Sequence, residues 1–203
     1  PQPFDTDFAT RNNNDHVLSF NGAQLGISHQ GPETNNRSAV YVMPATGGKP
    51  RLVTKLTPSY FHAWSPDAKW LVYAGGRKEA ANPTGPDKDD IYNIPVDGGD
   101  EIKLGAGPGR SDGPEFTPDG KWIYFNSTRA GGPMQLWRMD ANGNNPEQVS
   151  HDELNNWFPH ISPDGKWIAY IAFPKDVAPE DHPYYRHCYL MLMPIAGGPC
   201  KVV

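Results

Sequence analysis

Apolar residues along this chain come in short runs separated by turn-forming clusters, and no stretch shows the 3.6-residue period of an amphipathic helix. The run Trp167-Ile168-Ala169-Tyr170 shows how such a segment is built, because Ser162-Pro163-Asp164-Gly165-Lys166 comes directly before it. Pro163 sets φ for the second position of a type I turn, and Asp164 suits the third. Gly165 supplies the left-handed residue that closes a three-residue hairpin loop. The run after it is apolar on both sides, which predicts a strand covered on both faces. The same phrase stands at Thr117–Phe125 and Ser65–Tyr73, with a worn copy at Ser19–Ile27.

A second marker repeats in step with the first. Pro44–Val53, Pro95–Leu104, Asp140–Val149 and Pro194–Val203 are versions of one glycine hairpin, each preceded by an apolar run. The turn marker recurs at Gly22, Ala68, Gly120 and Gly165, and the hairpin glycine at Gly47, Gly98, Gly143 and Gly197. Repeats of roughly 45 to 54 residues with four short strands each predict an all-β fold, a β-propeller of four-stranded antiparallel blades. The repeats run over about 14–56, 59–104, 113–150 and 157–203, read as one domain over 1–203. Expected strands in the first repeat are Val17–Phe20, Gln24–Ser28, Ala39–Met43 and Arg51–Thr54, and Pro1–Thr6 reads as the last strand of a preceding blade. Three arrangements follow: part of a six-bladed propeller, which is favoured, a four-bladed propeller, or an open piece that self-associates through its bare end blades.

Composition narrows the class of partner. Gly and Pro number 21 and 22 of 203 residues, which suits a chain that turns every few residues. The net charge of −5 argues against nucleic acid and against an anionic membrane surface, and no apolar run is long enough for a membrane-spanning helix. Cys188 and Cys200 fall too far apart along a hairpin for disulfide geometry, so free thiols are expected.

The S/T-P-D-G-K-W turn, the glycine hairpin, Gly113–Met139, and the runs Asn13–His16, Ser59–Asp67 and Asn155–Trp167 together resemble the TolB-type β-propeller proteins. The resemblance covers essentially the whole chain. It implies a six-bladed propeller, a periplasmic or secreted location and a role in binding, most simply of a protein or glycan partner through the channel face. The separate N-terminal domain of TolB has no counterpart here.

The unusual residues gather just before each turn marker and are expected in the connections that lead into the first strands. Asp15, His16, Phe61, His62, Asp112, Glu115, Trp157 and His160 are the candidate binding residues. Of these, His16, His62, Asp112 and His160 carry groups that suit a divalent metal such as Zn, Mn or Fe. His16 and His62 share one repeat position, so hydrogen bonding to neighbouring blades as channel-lining polar residues is the favoured account of them. Oligogalacturonate lyase, a propeller that holds a metal with channel histidines, supports a metal-dependent polysaccharide lyase or hydrolase as the alternative to a binding module. A scaffold module of a larger enzyme is a further alternative. Catalytic residues are not identifiable from the sequence. Asp87, Asp89 and Asp90 lack the EF-hand pattern and read as a charged loop. His182, Tyr184, Tyr185 and His187 read as loop decoration, and Trp70, Trp122 and Trp167 as blade core. Asp67, Asp119 and Asp164 read as turn residues.

Overall fold

Residues 4–178 and 187–203 are described by a computed structural model of the protein. Four antiparallel sheets, each with its strands in sequence order, match the four repeats. Blade 1 holds β1 (Asn12–Leu18), β2 (Gln24–Gln30), β3 (Ser38–Pro44) and β4 (Arg51–Leu52). Blade 2 holds β5 (Ser59–Trp64), β6 (Trp70–Arg77), β7 (Lys88–Pro95) and β8 (Ile102–Leu104). Blade 3 holds β9 (Ser111–Phe116), β10 (Trp122–Ser127), β11 (Gln135–Asp140) and β12 (Glu147–Gln148). Blade 4 holds β13 (Asn155–Ile161), β14 (Trp167–Phe173), β15 (Tyr189–Pro194) and β16 (Lys201–Val202). One 3-10 turn, Pro32–Thr34, interrupts the strands. The chain falls into two compact units, Pro1–Lys103 and Leu104–Val203.

The turn after each first strand is one device built four times. Ser65 Oγ donates to Asp67 Oδ1, which also accepts the Lys69 N–H, while Trp70 N–H returns to Ser65 Oγ. Thr117 with Asp119 and Ser162 with Asp164 repeat these bonds, and in the worn copy Asn21 stands for the aspartate beside Ser19. The residue closing the turn is left-handed in every copy, with φ of 68° at Gly22, 70° at Gly120 and 68° at Gly165. Ala68 adopts φ 56°, as its repeat position requires, although its Cβ disfavours that region. The serine or threonine bond holds each aspartate below the usual carboxylate range, helped by the backbone N–H.

In the first unit, Val40, Val42 and Val53 of blade 1 meet Phe61, Trp64, Leu71, Tyr73, Tyr92 and Ile94 of blade 2 in one core. In the second unit, Tyr124 and Leu136 of blade 3 meet Ile168, Tyr170, Met191 and Met193 of blade 4. The strand tryptophans are not where the pattern placed them. Trp167 is 41% exposed, and Trp70 and Trp122 are only partly buried. Trp122 packs against the core of the second unit, and Arg138 lies over its ring at 4.4 Å. The fully buried indoles are Trp64 and Trp157, both on first strands.

Of the expected N-terminal strand, Pro1–Pro3 lie outside the described residues, and Phe4–Thr6 carry no strand structure. Asp5 accepts the Gly48 N–H with its carbonyl, beside the glycine hairpin of blade 1. Gly47 permits that approach, since a Cβ there would lie 3.1 Å from the Asp5 carbonyl oxygen. Cys188 and Cys200 are exposed free thiols. Among the described residues, no helix is long and apolar enough to cross a membrane.

Candidate functional site

The candidate residues lie inside the first strands, not in the connections before them, because β1, β5, β9 and β13 begin earlier than the apolar pattern suggests. The opening residues are asparagines, serines and prolines, which carry weak strand propensity, and pairing to the apolar second strand overrides it. Each first strand is irregular at the same place. The register against the second strand shifts between Asn12 and His16, between Phe61 and Ala63, between Asp112 and Glu115, and between Trp157 and His160. Such β-bulges set two residues of one strand against one of its partner and re-aim their side chains. His62 is itself the added residue of β5. Gly113 and Phe158 accept left-handed backbone in the bulges of β9 and β13, with φ of 60° and 54°.

Within each unit the two first strands are neighbours, and the joint between them uses equivalent positions. In the first unit Phe61 N–H donates to Ser28 Oγ at 2.7 Å, and Trp64 Nε1–H donates to the Val17 carbonyl at 2.9 Å. In the second unit Phe158 N–H donates to Asn126 Oδ1 at 3.0 Å. There Glu115, at the repeat position of Val17, accepts the Ile161 N–H at 2.7 Å and contacts His160 Nδ1 at 2.7 Å. Ionised Glu115 has only acceptors, so His160 donates from Nδ1 and its Nε2 is left as an acceptor when the ring is neutral. The His160 side chain is 71% exposed.

The remaining candidates divide by burial. His16 is exposed, and Asp15 and His62 are half-buried; Asp15 is fixed by reciprocal bonds with Asn13. Phe61 and Trp157 are buried completely or nearly so, at 0% and 1% exposure, and shape the joints from within. Gly26 makes the Phe61 seat possible, because a Cβ there would come within 2.3 Å of its ring. Asp112 is buried, accepts the Gly113 N–H and pairs with Arg110 at 3.6 Å; the Arg110 guanidinium lies 5.4 Å from the Trp157 ring centre. Within either unit, the described His, Cys, Asp and Glu side chains do not gather in groups of three or more suited to an ion. The structure brings Glu115 and His160 together, with Asp112 on the same first strand as Glu115 and Trp157 on the same first strand as His160.

The aspartates of the long connection in blade 2 meet cations. Asp87 pairs with Arg37 and Lys78, and buried Asp90 with Lys103 and Lys88. His182, Tyr184 and Tyr185 lie outside the described residues, whereas His187 is exposed and meets the Tyr189 ring edge-on.

One set of positioning residues escaped the sequence reading. Arg77 donates to Ser59 Oγ and to the carbonyls of Pro58 and Leu56, and its guanidinium lies 5.1 Å from the Tyr92 ring centre. Arg129 holds the same position in blade 3, donating to the Gly105 carbonyl and to Ser127 Oγ, with its guanidinium over Phe125 and Trp137. Each arginine ties down the segment that enters a first strand. Aligned on the turn marker, the arginines fall nine residues after Ala68 and Gly120, and Ser59 and Ser111 nine before, which is the signal that would have found them. In blade 2 the clamp gains a carboxylate. Glu101 accepts from Arg77 at 2.8 and 2.7 Å and from the Tyr73 hydroxyl at 2.6 Å. Burial pushes the Glu101 carboxyl up, but bonds from Arg77 and Tyr73 outweigh it and hold the group below its ordinary value. Burial, followed by the Asp90 charge, pushes the Tyr92 hydroxyl up to about 12.

The chain as a whole is similar to known proteins. A family model described as the TolB beta propeller domain matches residues 34–179. An uncharacterized protein of Agrobacterium fabrum is 43% identical over 198 residues, covering 98% of this chain and 63% of its own length. A solved structure of a candidate TolB from Agrobacterium tumefaciens superposes with a TM-score of 0.88 at 42% identity, over 98% of this chain and 67% of that one. TolB from Acinetobacter baumannii superposes with a TM-score of 0.67 at 19% identity, over 92% of this chain and 43% of that one, a likeness of fold alone. The chain therefore spans about two thirds of the length of its more similar relatives, and it belongs to the TolB beta propeller domain family.

Proposed function

We propose that the chain is a binding module that recognises a protein or glycan partner through the bulged edges of its first strands, in a periplasmic or secreted setting. The observation that carries this reading is the Glu115–His160 pair. A carboxylate that already accepts a backbone N–H orients an exposed imidazole, so a polar acceptor is held ready at a joint that apolar residues fill in the first unit. Asn126 Nδ2, buried in the same joint, has no hydrogen-bond partner among the described residues and supplies a donor for a water molecule or a ligand oxygen. Family membership supports a binding role and leaves the identity of the partner to experiment.

The test is a glycan screen and a pull-down from periplasmic extract, run with wild type and with His160→Ala and His62→Ala. Loss of the captured partner in both variants, with melting temperature retained, supports the reading; equal capture by all three chains overturns it. Metal analysis after growth with Zn and Mn is the companion measurement. Stoichiometric metal lost on His62→Ala would place the residues His16, His62, Asp112 and His160 with the metal-dependent lyases or hydrolases instead.

A further inference from the structure

Within the first unit, the connection from blade 1 to blade 2 and the glycine hairpin of blade 2 frame a cavity of about 320 Å³, at the lower end of the range in which small-molecule sites fall. Lys55 and Leu56 of the connection line it, together with Ile94, Gly99, Asp100 and Glu101 of blade 2. None of them is a first-strand residue. Part of the lining is aliphatic. Ile94 belongs to the core of the unit and is 1% exposed, whereas Leu56 leaves 53% of its surface bare. A leucine so exposed beside a buried isoleucine offers a seat for an aliphatic chain.

The charged groups of the lining are used differently. Glu101 accepts from Arg77 at 2.8 and 2.7 Å and from the Tyr73 hydroxyl at 2.6 Å, so its charge is balanced and its position fixed. A carboxylate has about four acceptor sites, so one of them remains. The side chains of Lys55 and Asp100 are exposed, and neither has an ion-pair or hydrogen-bond partner among the described residues. The acids are an addition to the repeat. Aligned on the hairpin glycine, Asn145 and Pro146 stand in blade 3 where Asp100 and Glu101 stand in blade 2, and Arg129 still ties down its segment through Gly105 and Ser127.

We propose that this cavity binds a free aliphatic α-amino acid, with its carboxylate on Lys55, its ammonium on Asp100 and its side chain against Leu56 and Ile94. Charge complementarity selects this class, for the cavity offers one unused cation, one unused anion and an aliphatic wall. A simple amine or a fatty acid leaves one of the two charges unmet. A peptide separates its terminal charges by the length of its chain, whereas a free amino acid carries both on the carbon that bears the side chain. The ammonium has three donors, so it reaches the remaining acceptor site of Glu101 as well as Asp100. Because Arg77 and Tyr73 already hold Glu101, that contact costs no further ordering.

Titration of the isotope-labelled chain with L-leucine, followed by amide resonances and by calorimetry, tests this. One leucine should bind with a dissociation constant of about 1 mM or below, and the amides of Leu56, Gly99, Asp100 and Glu101 should move most. Leucinamide, which lacks the carboxylate, and N-acetylleucine, which lacks the ammonium, should each bind at least about tenfold more weakly. Lys55→Gln should bind leucine and leucinamide alike, and Asp100→Asn should bind leucine and N-acetylleucine alike. Both side chains are exposed, so both variants should keep the melting temperature of wild type. The proposal is overturned if leucine shows no saturable binding up to about 20 mM. Resonance changes that spare the cavity, or variants that keep the preference of wild type for the zwitterion, overturn it equally. Should a variant not fold, the capped ligands decide on wild type alone, and either one binding as tightly as leucine overturns the proposal.

Discussion

The joint between blades 1 and 2 and the joint between blades 3 and 4 use the same positions to opposite ends. In the first, Val17 offers only its carbonyl and side-chain bulk, and Trp64 fills the space and donates to it. In the second, Glu115 stands for Val17 and Ile161 for Trp64, so a carboxylate clasps the strand and leaves room for an exposed imidazole. Even the bond that both keep differs in donor capacity, since Ser28 in one joint becomes Asn126 in the other. The backbone geometry, a bulged first strand seated on the preceding blade, survives the exchange. The fold therefore asks for shape and one accepted N–H at this place, and the side chains are free to carry either packing or chemistry.

The largest break of this comparison is Phe61→Ala. The ring is fully buried between two blades, so its loss should cost about 3–5 kcal/mol, read as a lower denaturation midpoint. Phe158→Ala at the equivalent, only partly buried position should cost clearly less. An equal loss at both sites would mean that the two joints are packed alike after all.

Glu101→Gln should come next, at about 3 kcal/mol near neutral pH, since it strips the partner from Arg77 in a pair whose side chains are 13% and 14% exposed. Its acid dependence has a definite sign. The folded Glu101 carboxyl lies below its unfolded value, so its contribution is present above the unfolded value, near pH 4, and is lost as pH falls through the folded one. The stability of wild type should drop more steeply below about pH 4 than that of Glu101→Gln. Parallel acid curves would show that the pair is screened.

Glu115→Gln should cost about 1 kcal/mol, because the amide oxygen still accepts the Ile161 N–H while the charge-assisted contact to His160 weakens. The clearer readout is the position of the His160 ring, whose NOEs to residues of β9 should weaken in the variant, for the ring loses its charged acceptor. Unchanged NOEs would show that Glu115 does not hold the ring in solution.

Ala68→Gly should stabilise the chain by up to about 1 kcal/mol, raising the melting temperature, because φ at this residue is 56° and glycine carries no Cβ to resist it. The gain is smaller than the intrinsic penalty to the extent that glycine adds freedom to the unfolded chain. A fall in melting temperature would show that the Ala68 methyl, which packs against the core of the first unit, outweighs the strain.

The sequence by itself determined the repeat, the hairpins and the strand pairing, because these depend on residues close together in the chain. A proline, an aspartate and a left-handed residue in a row leave the backbone one turn to make, and even Ala68 obeys the frame set by its glycine counterparts. It also marked the first-strand region as unusual, since histidines and carboxylates there interrupt the apolar pattern. Tertiary structure decided what those residues do. Phe61 and Trp157 read as surface candidates and are core, because a bulge in each first strand shifts its alternation by one residue. Trp167 read as core and is exposed, at the first position of a strand whose alternation is unbroken. Glu115 and His160 are 45 positions apart and meet only because two blades are seated side by side. Their pairing is a property of that seating, so no local spacing could announce it.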